Sequence, residues 1–129
     1  MKLYPMVSFH GNCRQAFEFY RDCFGGSTHF EGLPNAVGLG LPCSLRKLVV
    51  RARLDCEHFT LYGSDLGANT INGRISLVIE DLSEAPFLQI FAKLSAEAKS
   101  ASNPDNLKIG QFASVTDKFG VEWLFHPNA

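Results

Sequence analysis

Apolar residues recur at helical spacing in one stretch near the N-terminus, from Phe9 to Gly26. Its charged residues fall between the apolar positions, so one face of a helix would be apolar and the other solvated. Asn12 precedes the stripe and Gln15 follows three residues later, as in a capping box, while Gly25 is typical of a helix end. The pattern predicts a helix from about Cys13 to Phe24. Its apolar members are Ala16, Phe17, Tyr20, Cys23 and Phe24.

Short alternating or β-rich runs predict strands on both sides of this helix. In the run KLVVRARL, from Lys47 to Leu54, alternation puts Arg51 and Arg53 on the same face. Glycine and proline punctuate residues 32–44, which predicts a loop in which a strand could still lie between Ala36 and Leu41. The predicted strands of the first half are Leu3 to Phe9, Ser27 to Glu31, Lys47 to Leu54 and His58 to Gly63.

A similar order of elements begins again after a polar, glycine-containing stretch from Ser64 to Asn72. Ser83 can cap a second helix, and Pro86 lies in its first turn, where the missing amide hydrogen is tolerated. The apolar stripe of that helix consists of Phe87, Phe91, Leu94 and Ala98. The predicted strands of the second half are Gly73 to Glu80, Ile109 to Thr116 and Val121 to His126, with a loop at Lys99 to Leu107.

Both halves show the order strand, helix and further strands, although few residues are identical between them. A βαβββ unit buries its helix against one face of its sheet and leaves the other face free to curve around a ligand. The sequence therefore predicts an α+β fold of two paired βαβββ modules, at about residues 1–66 and 73–129. The eight strands would form one cup-shaped sheet in a single domain.

Composition narrows the classes of function. The chain has 129 residues, of which 46% are hydrophobic and 19% charged, and its formal net charge is −1. This charge predicts no nucleic-acid or membrane-surface partner. No apolar run reaches the length of about 18 residues that a membrane span needs, and no signal-peptide pattern is present. The four cysteines form no C-x-x-C pair, so we expect a reduced, cytoplasmic protein.

Three blocks of residues resemble a known family. They are FHGNCRQAFEFYRDCFGG (residues 9–26), YGSD (62–65) and DKFGVEW (117–123), and together they span almost the whole chain. In combination they are similar to the PhnB-like branch of the glyoxalase/bleomycin-resistance/dihydroxybiphenyl-dioxygenase superfamily, which has the vicinal oxygen chelate fold. The resemblance implies paired βαβββ modules, a cup-shaped cavity and, commonly, a homodimer.

The resemblance also identifies where a metal would be bound. Metal-dependent members hold a divalent ion with four side chains, and the corresponding positions are Pro5, Thr60 or Tyr62, Arg74 and Leu124. Proline and leucine offer no side-chain donor, and a guanidinium is a permanent cation that repels a metal. We therefore expect no metal and no other cofactor, and not the metal-dependent lyase or isomerase chemistry of the superfamily.

The same alignment of positions implies a ligand cavity. Its expected lining is Val7, Phe9, Arg51, Tyr62, Arg74, Glu122 and Leu124. The planar donors of arginine suit a carboxylate or phosphonate, so Arg51 and Arg74, with Arg53, would hold a small anion. Alternatively, arginines that alternate along a half-exposed strand are solvated or paired with acidic residues, the candidates being Glu31, Glu57 and Glu122.

Few residue patterns suggest catalysis. His126 shares a strand face with Glu122, and the two could act as a general base and its orienting partner, or could form a surface contact. Trp123 and Phe125 point the other way and are expected in the core. Cys13 lies in the first turn of a helix, which lowers the pKa of a thiol, and is either a nucleophile or a buried structural residue.

These features together predict a small-molecule-binding protein, or a metal-independent enzyme, whose ligand lies in the cup. The alternative is a cup that is filled by bulky side chains of its own and serves as a dimerisation module without a ligand. The residues that would fill it are Phe9, Tyr62 and Leu124.

Overall fold

The computed structural model describes residues 1–32, 48–66, 76–82, 84–102 and 113–127. The chain divides into two compact units, Met1–Ile71 (unit 1) and Asn72–Ala129 (unit 2). Neither helix in the described part of the chain is long and apolar enough to cross a membrane.

The described residues of unit 1 form a four-stranded sheet and one helix. Its elements are β1 (Met6–Ser8), α1 (Cys13–Phe24), β2 (Ser27–Gly32), β3 (Val49–Asp55) and β4 (Thr60–Ser64). The strand order across the sheet is β1-β4-β3-β2. β1 runs parallel to β4, whereas the other neighbours are antiparallel. The helix α1 has the predicted bounds, and the residues between Ala36 and Leu41, where a further strand was considered, lie outside the described residues.

Unit 2 repeats this topology. Its elements are β5 (Ser76–Leu82), α2 (Glu84–Leu94), β6 (Ser100–Ala101), β7 (Ala113–Thr116) and β8 (Glu122–Pro127). The strand order is β5-β8-β7-β6, and β5 runs parallel to β8. The predicted α+β fold of two βαβββ modules is therefore confirmed. Among the described strands, β6 alone was missed, because its two residues fall in a polar stretch that is typical of a loop. The arrangement of all eight strands in one cup stays a prediction.

The helix α1 packs its apolar stripe against one face of the unit 1 sheet. Phe17 is fully buried, and its ring meets the ring of Phe9 edge-on at a centroid distance of 6.1 Å. On the same sheet face Gly63 lies directly beneath Phe17, where any side chain would collide with the ring. The other buried residues of this core include Val7, Cys13, Ala16, Tyr20, Ala52, Leu54 and Leu61.

A residue that is distant in sequence forms hydrogen bonds with the backbone at the start of α1. The predicted cap, Asn12, makes no side-chain capping hydrogen bond. Instead Asp65, just after β4, accepts hydrogen bonds from the backbone N–H groups of Gly11 and Cys13 through Oδ1, at 2.8 and 3.0 Å. Its Oδ2 accepts a third from the N–H of Val49, at 2.9 Å. The capping-box prediction was therefore wrong, since a carboxylate more than fifty residues away satisfies these donors.

The end of α1 follows the prediction. Gly25 has a φ of 80°, which side-chain-bearing residues rarely adopt, and its N–H donates to the carbonyl of Arg21 at 2.7 Å. The predicted cap of the second helix, Ser83, lies outside the described residues.

Aromatic residues form the core of unit 2. Phe87 and Phe91 of α2 both contact the ring of Phe125 in β8, with centroid distances of 5.6 and 5.8 Å. Trp123 is also buried, and its Nε1–H donates to Oδ2 of the buried Asp117 at 2.9 Å. The core positions predicted for Trp123 and Phe125 are thus confirmed. Oδ1 of Asp117 also accepts from the backbone N–H groups of Phe119 and Val121, so the DKFG segment forms a turn held by its own aspartate.

Candidate functional site

The face of the unit 1 sheet opposite α1 is called here the helix-free face, because no helix in the described residues of unit 1 packs on it. It carries a cluster of polar side chains. Strand alternation explains the cluster, because alternate residues of β2 and β3 are charged or polar while the residues between them face α1. Pairing across the sheet then sets Arg53 opposite both His29 and Tyr62, and Arg51 opposite Glu31. These residues line a cleft of about 540 Å³. Its lining is His29, Glu31, Arg51, Arg53, Asp55 and Tyr62.

Arg53 is at the centre of the hydrogen bonds in this cleft. Its Nε–H donates to both carboxylate oxygens of Asp55, at 2.9 and 2.8 Å. Its Nη1 donates to the hydroxyl oxygen of Tyr62 at 3.0 Å. The hydrogen bond to Asp55 is the main reason that the pKa of Arg53 is raised above its usual value. The guanidinium is therefore fixed in both position and charge.

Asp55 is held by a second donor besides Arg53. The hydroxyl of Thr60 donates to Oδ1 of Asp55 at 2.8 Å. Thr60 lies directly opposite Asp55 in the antiparallel pair of β3 and β4. This hydrogen bond, followed by that from Arg53, lowers the pKa of the Asp55 carboxyl, so the group is ionised at neutral pH.

Arg51 forms a separate ion pair at the outer part of the cleft. Its Nη2 lies 2.5 Å from Oε1 of Glu31, and both side chains are more than half exposed. The hydrogen bond to Glu31 raises the pKa of Arg51. The pairing with Glu31 is the one that the alternative interpretation of the arginines predicted. Since Arg53 is likewise paired with Asp55, the positive charges of this cleft are balanced by carboxylates.

The structure brings together only part of the predicted ligand-binding set. Arg51 and Tyr62 lie in the same cleft. Val7 and Phe9 do not, because they are buried at 6% and 3% exposure on the face that packs against α1. Val7 pairs with Gly63, whose missing side chain would point at Phe17, so the expectation that Val7 and Phe9 line the cavity was wrong.

Reading β1 one residue out of step would produce this error, since alternate residues of a strand lie on opposite faces. Met6 is the β1 residue that pairs with Tyr62, and it is exposed. The helix-free face therefore includes Met6 where the family resemblance implied its neighbour Val7.

The remaining predicted site residues belong to unit 2. Arg74 lies outside the described residues. Leu124 is half-buried in β8, opposite Val78 and Ser114. Glu122 is exposed, and its carboxylate accepts a hydrogen bond from the hydroxyl of Ser76. The structure therefore provides no test of a ligand at these residues.

Glu122 and His126, the predicted catalytic pair, lie four residues apart in β8. Both residues lie in the extended strand β8, where four residues span about 13 Å at 3.3 Å per residue. The carboxylate of Glu122 is bonded instead to Ser76 on the neighbouring strand. A catalytic role for Glu122 and His126 stays a prediction.

Cys13 matches the structural interpretation of this thiol. It is fully buried beside Phe17 and Gly63 in the core of unit 1. Burial, followed by the nearby charge of Asp65, raises the pKa of the thiol from 9.0 to about 12, so it is protonated at neutral pH. Among the described residues, Cys13, Cys23 and Cys56 form no disulfide bond.

Sequence reasoning missed two residues that line the cleft, His29 and Asp55, and named Thr60 only as a possible metal position. Asp55 reads as a turn residue in the sequence but is the last residue of β3. The signal that could have found them is the alternation of STHFEG and VVRARLD considered together. An antiparallel pair of these runs places His29, Arg53 and Asp55 on one face.

The chain is similar to several proteins of known structure. No family model and no curated protein matches it. Solved structures do match, over nearly the full length of both chains. Protein PA1353 from Pseudomonas aeruginosa is 27% identical, with a TM-score of 0.76, and the match covers 99% of this chain and 98% of that one.

Two further structures share the fold at lower identity. A PhnB protein from Bacillus cereus is 20% identical, with a TM-score of 0.67 and coverage of 99% of this chain and 100% of that one. TnmS3, an antibiotic-binding protein from Streptomyces sp. CB03234, is 15% identical, with a TM-score of 0.56 and coverage of 100% and 98%. From its repeated βαβββ topology and these structural relatives, the chain has the glyoxalase/bleomycin-resistance-like fold, as the resemblance to PhnB-like proteins implied.

Proposed function

We propose that the chain is a small-molecule-binding protein and that its ligand lies in the cleft on the helix-free face of unit 1. The observation that carries the proposal is the fixed polar network there, in which Thr60, Asp55, Arg53 and Tyr62 are joined by consecutive hydrogen bonds beside a cleft of about 540 Å³. The volume of the cleft lies in the range of about 300–1,000 Å³ that is typical of small-molecule sites. The antibiotic-binding protein TnmS3 supports the proposal, because it shows that a protein of this fold binds a small molecule.

We further propose that binding requires no divalent metal. Of the positions that would hold a metal in related enzymes, Leu124 has no side-chain donor. The other described candidates are engaged, since Thr60 donates to Asp55 and Tyr62 accepts from Arg53. Within the described residues, no group of three or more His, Cys, Asp or Glu side chains could hold a metal ion.

A titration followed by nuclear magnetic resonance tests the binding site directly. A library of small neutral, anionic and cationic fragments would be added to ¹⁵N-labelled protein, with and without Zn²⁺ and Mn²⁺. We expect some fragments to shift the backbone signals of β2 to β4 and the side-chain Nε–H signal of Arg53. Arg53→Met should abolish these shifts, whereas Glu122→Gln, on the exposed part of unit 2, should leave them unchanged.

Two outcomes would count against parts of this proposal, and a third would identify the ligand as an anion. If no fragment at millimolar concentration shifted the β2 to β4 signals, small-molecule binding in this cleft would be refuted. A requirement for Zn²⁺ or Mn²⁺ would refute metal independence. The anion-binding interpretation of the arginines would be supported if anionic fragments bound best and Glu31→Gln increased their affinity further. This substitution releases Arg51 from its ion pair.

A dimerisation module without a ligand is the second candidate. It is favoured by exposed apolar side chains at the N-terminal end of unit 1, where Leu3 and Met6 are 90% and 53% exposed. Sedimentation measurements on the native chain and on Leu3→Lys/Met6→Lys test it. A dimer that these substitutions dissociate, in a chain that binds no fragment, would favour the dimerisation module.

A further inference from the structure

The hydroxyl oxygen of Tyr62 accepts a hydrogen bond from Arg53. A guanidinium carries five N–H donors and no acceptor, so in the 3.0 Å contact between Arg53 Nη1 and the Tyr62 hydroxyl the phenol oxygen must accept. The phenol proton then points away from Arg53. Among the described residues the structure shows no acceptor for that proton, and the hydroxyl belongs to the lining of the cleft.

The orientation of Tyr62 is fixed through a chain of neighbours. Thr60 donates to Asp55, Asp55 accepts from Arg53 through both oxygens, and Arg53 donates to Tyr62. The ring of Tyr62 also packs against Tyr4, with a centroid distance of 5.5 Å and an interplanar angle of 46°. A hydroxyl held from both its ring and its oxygen loses little further freedom when a ligand binds, which favours affinity.

The charges of the cleft distinguish between classes of ligand. Arg51 is paired with Glu31, and Arg53 is paired with Asp55. An anion would have to compete with these carboxylates or lie beside them, at a cost in electrostatic free energy. A neutral acceptor such as a ketone oxygen meets no such repulsion, and it can take the hydrogen bond that the phenol offers.

We propose that Tyr62 donates a hydrogen bond to the ligand of this cleft, that Arg53 holds Tyr62 in place, and that the ligand is a small neutral molecule with a carbonyl oxygen. This inference rests on the proposed function, since it names the chemistry of the same site. Arg53 acts in it as a positioning residue. The contact is made between the phenol O–H and the carbonyl oxygen, with no covalent step.

Three matched compounds test the inference: 1-indanone, a neutral ketone; indane, the same ring system without the carbonyl; and 1-indanecarboxylate, an anion. Their dissociation constants would be measured by the titration described above. In the native chain we expect the ketone to bind about 3- to 10-fold more tightly than the hydrocarbon, the equivalent of one hydrogen bond. Tyr62→Phe keeps the ring and should make the two affinities equal.

The neighbouring ring provides a matched control. Tyr4→Phe removes the hydroxyl of the tyrosine that packs on Tyr62 and should preserve the preference for the ketone. A second readout is the carbonyl stretching frequency of bound 1-indanone. Donation from Tyr62 should lower it in the native chain and in Tyr4→Phe but not in Tyr62→Phe, a change that a purely structural role for Tyr62 would not produce.

The results separate this inference from the proposed function. Equal binding of ketone and hydrocarbon to the native chain, or a preference that survives in Tyr62→Phe, would overturn the role of Tyr62 while leaving small-molecule binding intact. Tightest binding of the carboxylate would overturn the neutral ligand class. If these compounds and the whole fragment library failed to bind, both proposals would be overturned together.

Discussion

Gly63 of β4 lies so close to Phe17 of α1 that a Cβ atom at this position would be 2.4 Å from Cε1 of the ring and 3.1 Å from the Sγ of Cys13. The close approach lets α1 pack directly on the backbone of a central strand. It also identifies the helix-packed face of unit 1, because the residues paired with Gly63 must lie on the same face. Those residues are Val7 and Ala52, both of which are buried.

Gly63→Ala should therefore destabilise the fold. The added methyl group has to displace the buried ring of Phe17, and overpacking of this kind costs about 1–3 kcal/mol of the free energy of unfolding. Urea unfolding followed by circular dichroism measures the effect. Gly32→Ala is the matched control in the edge strand β2, because its Cβ would be 3.9 Å from the carbonyl oxygen of Leu48, which is an ordinary van der Waals contact. Equal effects of the two substitutions would contradict the packing argument.

Asp65 should contribute more to stability than the local cap residue Asn12. Asp65→Ala leaves the N–H groups of Gly11, Cys13 and Val49 without their acceptor, which we expect to cost about 2–3 kcal/mol. Asn12→Ala removes no side-chain capping hydrogen bond and should cost less than about 0.5 kcal/mol. Urea unfolding of both variants checks the order, and a larger loss in Asn12→Ala would show that the carboxylate does not hold the helix start.

The Cys13 thiol should make stability depend on pH in the alkaline range. Its pKa is raised from 9.0 to about 12, so the native state disfavours the thiolate. The unfolded chain loses this proton first, and stability is therefore fully retained below about pH 9 and falls between about pH 9 and 12. The slope from one such group is at most about 1.4 kcal/mol per pH unit.

Cys13→Ala isolates this contribution. Urea unfolding of the native chain and of the variant at pH 8 and pH 10.5 should show a larger loss of stability in the native chain, because only the native chain carries the Cys13 thiol. Lysines and tyrosines titrate in both proteins, so their contribution cancels in the comparison. Parallel losses would mean that the thiol ionises as readily in the folded chain as in the unfolded one.

The elements of the fold could be predicted because their signals are local. The stripe that begins at Ala16 and the stop at Gly25 lie within one segment, and α1 has the predicted bounds. The pairing of Arg51 with Glu31 was predicted only as one of several possibilities. It depends on the register between β2 and β3, which joins residues 20 positions apart, and no local pattern fixes that register.

Two errors have the same physical origin. The capping role of Asp65 could not be found from the helix sequence, since the carboxylate comes from beyond β4. Val7 was assigned to the wrong face because a one-residue difference in register exchanges the two faces of a strand. In both cases the decisive contact is between segments that are distant in sequence.

Thr60→Val should raise the pKa of Asp55. The hydrogen bond from the Thr60 hydroxyl is the largest cause of the lowered carboxyl pKa, and the bond from Arg53 is the next. A lowered pKa in the folded state stabilises the protein above the unfolded value of about 3.9, and this stabilisation is lost as the pH falls through the folded value. The variant should therefore show a weaker contribution of Asp55 to acid unfolding.

The titration of the Asp55 carboxyl carbon, followed by nuclear magnetic resonance, measures this change. Thr28→Val is the matched control, because Thr28 pairs with Leu54 and lies on the face opposite Asp55. It should leave the titration unchanged. If Thr60→Val also left it unchanged, the Thr60 hydroxyl would not hold the carboxylate, and the orientation of Arg53 toward Tyr62 would depend on Asp55 alone.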